Sequence, residues 1–247
     1  MGGERVDAFV LDERGVAGDR THAVFDVHRG AARQLTARQA PRLLAWSARY
    51  DEPGEEMDPA AAAWPVVTAP GGAEFEWRDP ALREALSDDL GRDVTLHRDE
   101  NGQQDLERSL LVTTGASHAA LEAELGRTLD LRRWRTNVHV ELDAPARAED
   151  GWEGRALTLG AAHMAVLHPC VRCVIPARDP DDQTKDAELL RHLSRHHSGV
   201  FGMNARPLGR ACVRTGDGST VSVTPISAAV RSRSTRSSAA RPSSAAP

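Results

Sequence analysis

Lysine is almost missing from this 247-residue chain: Lys185 is the only one, so every other basic residue is arginine. With so much alanine beside it, that skew reads as the codon bias of a GC-rich genome rather than as an RNA-binding surface. The formal net charge of -5 also disfavours nucleic acid as the main partner, because phosphate binding needs a basic surface that releases counterions. No apolar run approaches the roughly 20 residues needed to span a bilayer. The N-terminus carries no basic-then-apolar signal pattern, so no membrane is expected and a cytoplasmic location is. Cysteines number three, Cys170, Cys173 and Cys212, an odd count that argues against a disulfide framework and for free thiols in a reducing compartment. No G-x-S-x-G elbow is present, which disfavours a serine hydrolase. The absence of a glycine-rich phosphate loop before a helix removes support for a nucleotide-binding α/β fold. There is no internal repeat.

What is present is a chain about 40% apolar, long enough to bury a core as one large domain or two small ones. Arg5 to Leu11 and His22 to Val27 read as a hairpin around Gly15 and Gly18-Asp19, with Arg20 just past the bend. Thr36 to Arg42 reads by itself as a polar loop, and the acidic, Pro/Gly/Ala-rich stretch Asp51 to Ala63 as an irregular surface excursion. Strands at Pro65 to Thr68 and Ala73 to Trp77 flank Pro70-Gly71-Gly72. Asp79 then caps a helix that has Pro80 at its first position and ends at Gly91. After a strand at Leu110 to Thr114, a helix is expected to start at Ser117 and end before Gly126. From Ala156 to Ile175 short strands alternate as in a barrel wall, with Gly160 between two of them. Asp186 to His197 reads as a helix, and Phe201 to Leu208 and Thr220 to Val223 as closing strands. The Ser/Ala/Pro/Arg-rich tail after Ile226, with four arginines and no acid, is expected to be disordered.

The chemistry concentrates between Leu131 and Cys173. Arg133-Trp134-Arg135-Thr136-Asn137 leads into the alternating run Val138 to Leu142. Arg135 and Asn137 are two apart, so on a strand their side chains share a face, where a guanidinium fork and an amide can hold an anionic, hydrogen-bonding ligand. The competing reading is an ion pair of Arg135 with Glu141, Glu149 or Asp150. Downstream, Pro169-Cys170-Val171-Arg172-Cys173 puts a C-x-x-C pair inside apolar strand sequence, where a thiolate could bind a soft metal. A thioredoxin-like pair would instead open a helix after a strand. A structural zinc site would need two more ligands from His163, His168, His196, His197 and Cys212, and the usual second C-x-x-C is missing. Glu149 and Asp150, adjacent on the chain, point apart and are read as ordering the loop before Trp152, and His196-His197 as a solvated helix end.

Taken in order, R-x-R-x-N at Arg133 to Asn137, E-D-x-W at Glu149 to Trp152 and C-x-R-C at Cys170 to Cys173 resemble the MOSC domain. That is the molybdenum-cofactor-binding module of amidoxime-reducing components and molybdenum-cofactor sulfurases. Gly18-Asp19-Arg20 and Thr36 to Arg42 look like the β-barrel region that precedes MOSC in amidoxime-reducing proteins. The resemblance implies a mainly β fold, a MOSC-type β-barrel with about three short helices. Its expected divisions are 1-105 for the N-terminal barrel region, 106-226 for the MOSC domain and 227-247 for the tail. The family carries a further strand upstream ending in Lys-Ser, whereas this chain starts at Met1-Gly2-Gly3, so the first strand is expected to be missing.

The resemblance further implies a molybdenum cofactor (Mo-molybdopterin), with Cys173 as metal ligand and Cys170 a packed neighbour. It makes Arg20, Arg38, Arg135, Asn137 and Arg172 the cofactor contacts, with Arg172 favouring the ionised thiol. The family commonly has Pro where this chain has Thr136. The implied activity is reduction of a small N-hydroxylated substrate by oxygen-atom abstraction at molybdenum, with two electrons and two protons releasing water. No four-cysteine iron-sulfur pattern follows, so electrons would come from a separate flavin, haem or iron-sulfur protein. The alternative is a non-catalytic sulfur or molybdenum-cofactor carrier. Pyridoxal phosphate, also linked to the family, needs a lysine for its Schiff base, and Lys185 lies in the acidic run Asp179 to Asp186.

Overall fold

The computed structural model describes residues 1–28, 30–50, 64–99 and 107–225. The expected excursion at 51–63 and tail at 227–247 lie outside them. In chain order the strands are β1 (Ala8–Asp12), β2 (Gly15–Val16), β3 (His22–His28), β4 (Ala31–Gln34), β5 (Ser47–Arg49), β6 (Val66–Thr68), β7 (Glu74–Glu76) and β8 (Val94–Arg98). They continue with β9 (Leu110–Thr114), β10 (Val138–Val140), β11 (Arg155–Leu159), β12 (Ala162–Val171), β13 (Val200–Pro207), β14 (Ala211–Arg214) and β15 (Ser219–Pro225). Helix α1 (Pro80–Leu90) follows β7, α2 (Gly115–Leu125) follows β9, and α3 (Ala187–His196) precedes β13. Among the described residues the protein is mainly β with three α-helices, as expected.

The centre is a six-stranded, barrel-like sheet in the order β10-β9-β13-β12-β11-β15. Strict alternation on β9 explains how one strand serves two cores. Leu110 and Val112 enter the barrel core with Leu157, Met164, Met203 and Ala205. Leu111 points the other way, into a second core with Trp134, Phe201, Leu121 of α2 and Leu189 and Leu193 of α3. The two helices therefore cover one face of the barrel wall. On β13 the alternation breaks at Gly202: Phe201 lies in the helix-side core and Met203 in the barrel core, although they are two apart. Gly202 makes this possible with a positive φ of 79°. A Cβ there would stand 2.7 Å from the Val112 carbonyl oxygen and 2.9 Å from Thr113 Cγ2. Gly202→Ala should therefore cost about 2 to 4 kcal/mol, adding left-handed strain to a backbone clash. Urea unfolding checks this, and an unchanged midpoint would contradict it.

The N-terminal segments build a separate core. Sheets β4-β3-β8 and β5-β6-β7, with α1, surround Trp46, Trp77, Leu82, Leu86 and Val94. The α1 signals act as read: Asp79 Oδ1 accepts from Ala81 N at 2.8 Å, and Gly91 closes the helix in the left-handed region at φ 60°. Helix α2 starts earlier than expected, because Thr114 rather than Ser117 is its cap; the Thr114 hydroxyl accepts from Ser117 N at 3.3 Å.

The expected hairpin of the first two strands is not formed. β1 turns at Gly15 onto the two-residue β2, and its other edge pairs antiparallel with β14, Phe9 opposite Val213. β3 pairs instead with β4 and β8. Leu11 and Val213 both belong to the barrel core, so burying that face outweighs local pairing with β3. The N-terminal strand is thereby tied to the C-terminal half across the expected 105/106 division.

Candidate functional site

The site is held by a short loop anchored on one aromatic residue. A 3-10 turn, Leu131–Trp134, starts at Asp130, whose carboxylate accepts from Arg132 N at 2.8 Å. Trp134 is fully buried and stacks on Phe201 with centroids 4.0 Å apart. Its Nε1 donates to His118 Nδ1 at 3.1 Å, which requires the opposite ring nitrogen to carry the proton, and His118 Nε2 faces the Leu129 carbonyl at 3.1 Å. The turn ends with Arg135 in the left-handed region at φ 53°. Here the expectation is corrected: Arg135 is a turn cap, not a strand residue, and β10 begins only at Val138. The strand spacing that was to place Arg135 and Asn137 on one face does not apply.

The two residues still converge, through Asp19. Asn137 Nδ2 donates to Asp19 Oδ2 at 3.1 Å, while its Oδ1 accepts from Leu111 N at 3.0 Å. One donor and one acceptor of its amide thus pin the loop to Asp19 and to β9. Arg20, itself left-handed at φ 57°, lies 3.5 Å from Asp19 Oδ2 through Nε and 3.5 Å from the Ser109 carbonyl through Nη1. Arg135 donates to the Met1 carbonyl at 2.7 Å. Arg135 keeps exposed surface as a residue, yet protein atoms crowd its guanidinium. That desolvation is the largest pull lowering its pKa, opposed by Asp19 and Cys173 and reinforced by Arg20 and Arg172. Arg135 stays charged at any physiological pH. Asp19, Arg20, Cys173 and Arg172 are thus its electrostatic neighbours, drawn from two separate segments.

Arg172 packs the other side of the turn. Its Nη2 donates to the Trp134 carbonyl at 2.7 Å, its Nη1 lies 3.1 Å from Cys170 Sγ, and its Nε is buried with no hydrogen-bond partner. The expectation that Arg172 acts on Cys173 is corrected in this respect: the sulfur it touches is that of Cys170. Cys170 packs against the Trp134 core, as the resemblance implied. Cys173 lies two residues beyond the end of β12, before the 3-10 turn Ile175–Ala177, and not inside a strand as its apolar flanks suggested. Pro176 and Ala177 are buried in that turn, which accounts for the apolar sequence.

Other expected residues fall outside this cluster. Arg38 is exposed and its side chain makes no hydrogen bond or ion pair among the described residues, while the nearby Arg42 pairs with Asp89 at 2.9 Å. Arg133 pairs with Asp179 at 2.8 Å and Arg132 with Asp130 and Asp181, so these two arginines fasten the turn. Arg135 takes none of the three carboxylates of the competing reading as partner: Glu141 faces His139, Asp150 pairs with Arg147, and Glu149 is buried with neither carboxylate oxygen bonded. No set of three or more potential metal ligands among the described residues includes a cysteine, which leaves the structural zinc reading of the C-x-x-C pair without its further ligands. Thr136, where the resemblance expects Pro, has its hydroxyl 3.0 Å from Thr113 Oγ1 and 3.1 Å from the Leu111 carbonyl. Lys185 is exposed, in the segment that bridges to Arg178. Sequence reading missed Asp19 as the centre of the cluster; its adjacency to Arg20 was the only signal.

Fold and site together define a barrel protein with an arginine-rich, thiol-bearing cluster suited to an anionic ligand. The family model of the MOSC domain matches residues 90–220, more than half of the chain, and the chain belongs to the MOSC domain family. MOSC domains are associated with molybdenum-cofactor binding. No curated protein matches the sequence significantly. Among solved structures, the chain is similar to YiiM from Geobacillus stearothermophilus at 16% identity and a TM-score of 0.37, over 46% of this chain and 53% of that one. The match thus spans about half of that protein's length. It is also similar to APC1665, the YuaD protein from Bacillus subtilis, at 15% identity and a TM-score of 0.45, over 88% of this chain and 86% of that one. No helix among the described residues is long and apolar enough to cross a membrane.

The residues present fit a phosphorylated, metal-bearing group. Arg20 and Arg172 both lie close enough to the Arg135 guanidinium to oppose its charge, and an anion held among the three guanidinium groups would relieve that repulsion. The buried, unpartnered Nε of Arg172 is a spare donor, and Cys173 supplies a soft ligand type.

Proposed function

We propose that this chain is a molybdenum-cofactor-dependent oxidoreductase that reduces small N-hydroxylated compounds. The observation that carries the reading is the convergence of Arg20, Arg172 and Cys173 on Arg135. When bound, the molybdenum cofactor supplies a two-electron redox couple for removing oxygen from an N-hydroxyl group. Cys173 would be the protein's ligand to the metal, because a thiolate is the soft donor such a metal prefers. Arg20 and Arg135 would hold the anionic part of the cofactor, and the Arg172 guanidinium would close its side while bracing the Trp134 turn. Asn137 and Asp19 would position these groups by fixing the loop to β9 and to Arg20. Arg38, exposed and uncommitted, is left as a candidate contact for an incoming ligand. Electrons would come from a separate flavin, haem or iron-sulfur protein, and the free cysteines suit a reducing cytoplasm.

The test is to purify the protein, measure molybdenum and pterin per chain, and assay reduction of an amidoxime with an artificial electron donor. Near-stoichiometric metal with turnover supports the reading. Substoichiometric metal without turnover would instead favour a sulfur or cofactor carrier and overturn the enzyme assignment. Arg20→Ala and Arg135→Ala should each remove a charge-assisted contact worth about 1.5 to 3 kcal/mol, a loss of roughly tenfold or more in cofactor affinity. Their metal content after gel filtration checks this, and retention equal to the parent protein would remove both residues from the cofactor site.

A further inference from the structure

A second cluster lies on the two helices that cover the barrel, and none of its residues is among the electrostatic neighbours of Arg135. His192 of α3 and His197, which caps that helix, both place Nε2 at 2.6 Å from the same oxygen, Oε2 of Glu124 on α2. The three ligand atoms lie within 4.8 Å of one another, the only such group of three or more among the described residues. The histidine side chains are 18% and 14% exposed and the glutamate 38%, so the cluster is shielded yet reachable. The sequence reading of His197 as part of a solvated helix end is corrected by this arrangement.

A regular helix turns about 100° per residue, so residues five apart would point roughly 140° from each other. His197 escapes that constraint because the helix ends on it: its backbone is non-helical, at φ -133° and ψ 23°. Its N–H still bonds the Leu193 carbonyl at 2.8 Å, and the ring swings back beside His192. His196, at the ordinary helical spacing from His192, is exposed, although its ring lies 4.6 Å from that of His192.

We propose that Glu124, His192 and His197 bind a divalent transition-metal ion, of which zinc is the type, and that the ion clamps α2 to α3. Two imidazoles and one carboxylate are an established zinc ligand set, and three protein ligands leave a fourth position for water. With bonds of about 2.0 to 2.1 Å, tetrahedral ligand atoms stand roughly 3.3 Å apart, so each nitrogen must back away from Oε2 by less than about 1 Å. Side-chain torsions at a helix end supply that movement. Convergence of two ring nitrogens on one oxygen aims both at a single centre, where a shared ion would take the place of the two short contacts.

The experiment uses the full chain, stripped with EDTA and titrated with zinc chloride and, separately, with cobalt(II). One ion per chain should bind with a cobalt spectrum free of a sulfur-to-metal charge-transfer band. His192→Gln, His197→Gln and Glu124→Gln should each weaken zinc binding at least tenfold, with far-UV circular dichroism showing that they fold. His196→Gln should change it less than about threefold. At a hundredfold excess over Kd, zinc should raise the Tm by roughly 5 to 10 °C, and His192→Gln should abolish that rise. The proposal is overturned if no saturable binding occurs, if binding survives His192→Gln and His197→Gln unchanged, or if the cobalt spectrum shows thiolate ligation.

Discussion

Cys173→Ser is expected to abolish molybdenum-dependent reduction of an amidoxime, because a hard, neutral hydroxyl replaces the thiolate donor. Cys170→Ser and Cys212→Ser should leave much of the activity. The environments of the three residues differ accordingly. Cys173 is an electrostatic neighbour of Arg135. Cys170 lies against the Trp134 core with its sulfur 3.1 Å from Arg172 Nη1, a bond that a serine hydroxyl can also accept. Cys212 sits on β14 opposite Val10. Assays of bound molybdenum, Tm and turnover on the three variants decide the matter. Equal losses at Cys170 and Cys173 would sink the assignment, and unfolding of both would point to a structural metal, whose binding energy is folding energy.

The second large effect concerns Trp134, a residue that touches no ligand. It is fully buried, stacked on Phe201 and bonded to His118, and the Arg172 guanidinium carbon lies 5.7 Å from its ring centre. Trp134→Ala should cost about 3 to 5 kcal/mol from lost burial and the cavity left behind. At about 2 to 4 °C per kcal/mol for a chain of this size, the Tm should fall by roughly 6 to 20 °C. Because Arg135 caps the turn that Trp134 anchors, cofactor retention should fall with stability. Trp134→Phe keeps an aromatic face on Phe201 but loses the bond to His118, so it should recover most of the stability. Thermal melts with metal analysis check both, and an alanine variant as stable as the parent would show that the stack is not the anchor.

Much of this arrangement is local and therefore legible from the chain. Asp79, Pro80 and Gly91 bound α1 because capping and left-handed closure depend on residues within one turn of each other. The strand at Leu110 to Thr114 and the hairpin at Pro70-Gly71-Gly72 follow from β-branched runs and turn chemistry in the same way. Arg135 was found for an incorrect geometric reason: the expected strand is a turn, and the residue reaches the site through the burial of Trp134 beside it. The apolar residues after Cys173 look like strand but fill a buried turn, because hydrophobicity reports burial without reporting backbone shape.

The order of the motifs, the shortage of lysine, the odd number of cysteines and the caps of α1 were determined by the sequence alone, since each is a property of neighbouring residues or of composition. Only the tertiary structure decided which groups meet. Asn137 finds Asp19 across 118 positions, and His197 finds Glu124 across 73. It likewise put Cys170 rather than Cys173 against Arg172, and β14 rather than β3 against β1. Such pairings are set by the burial of whole faces in shared cores. A face is completed by strands and helices distant along the chain, so no short window of sequence contains the information that selects its partners.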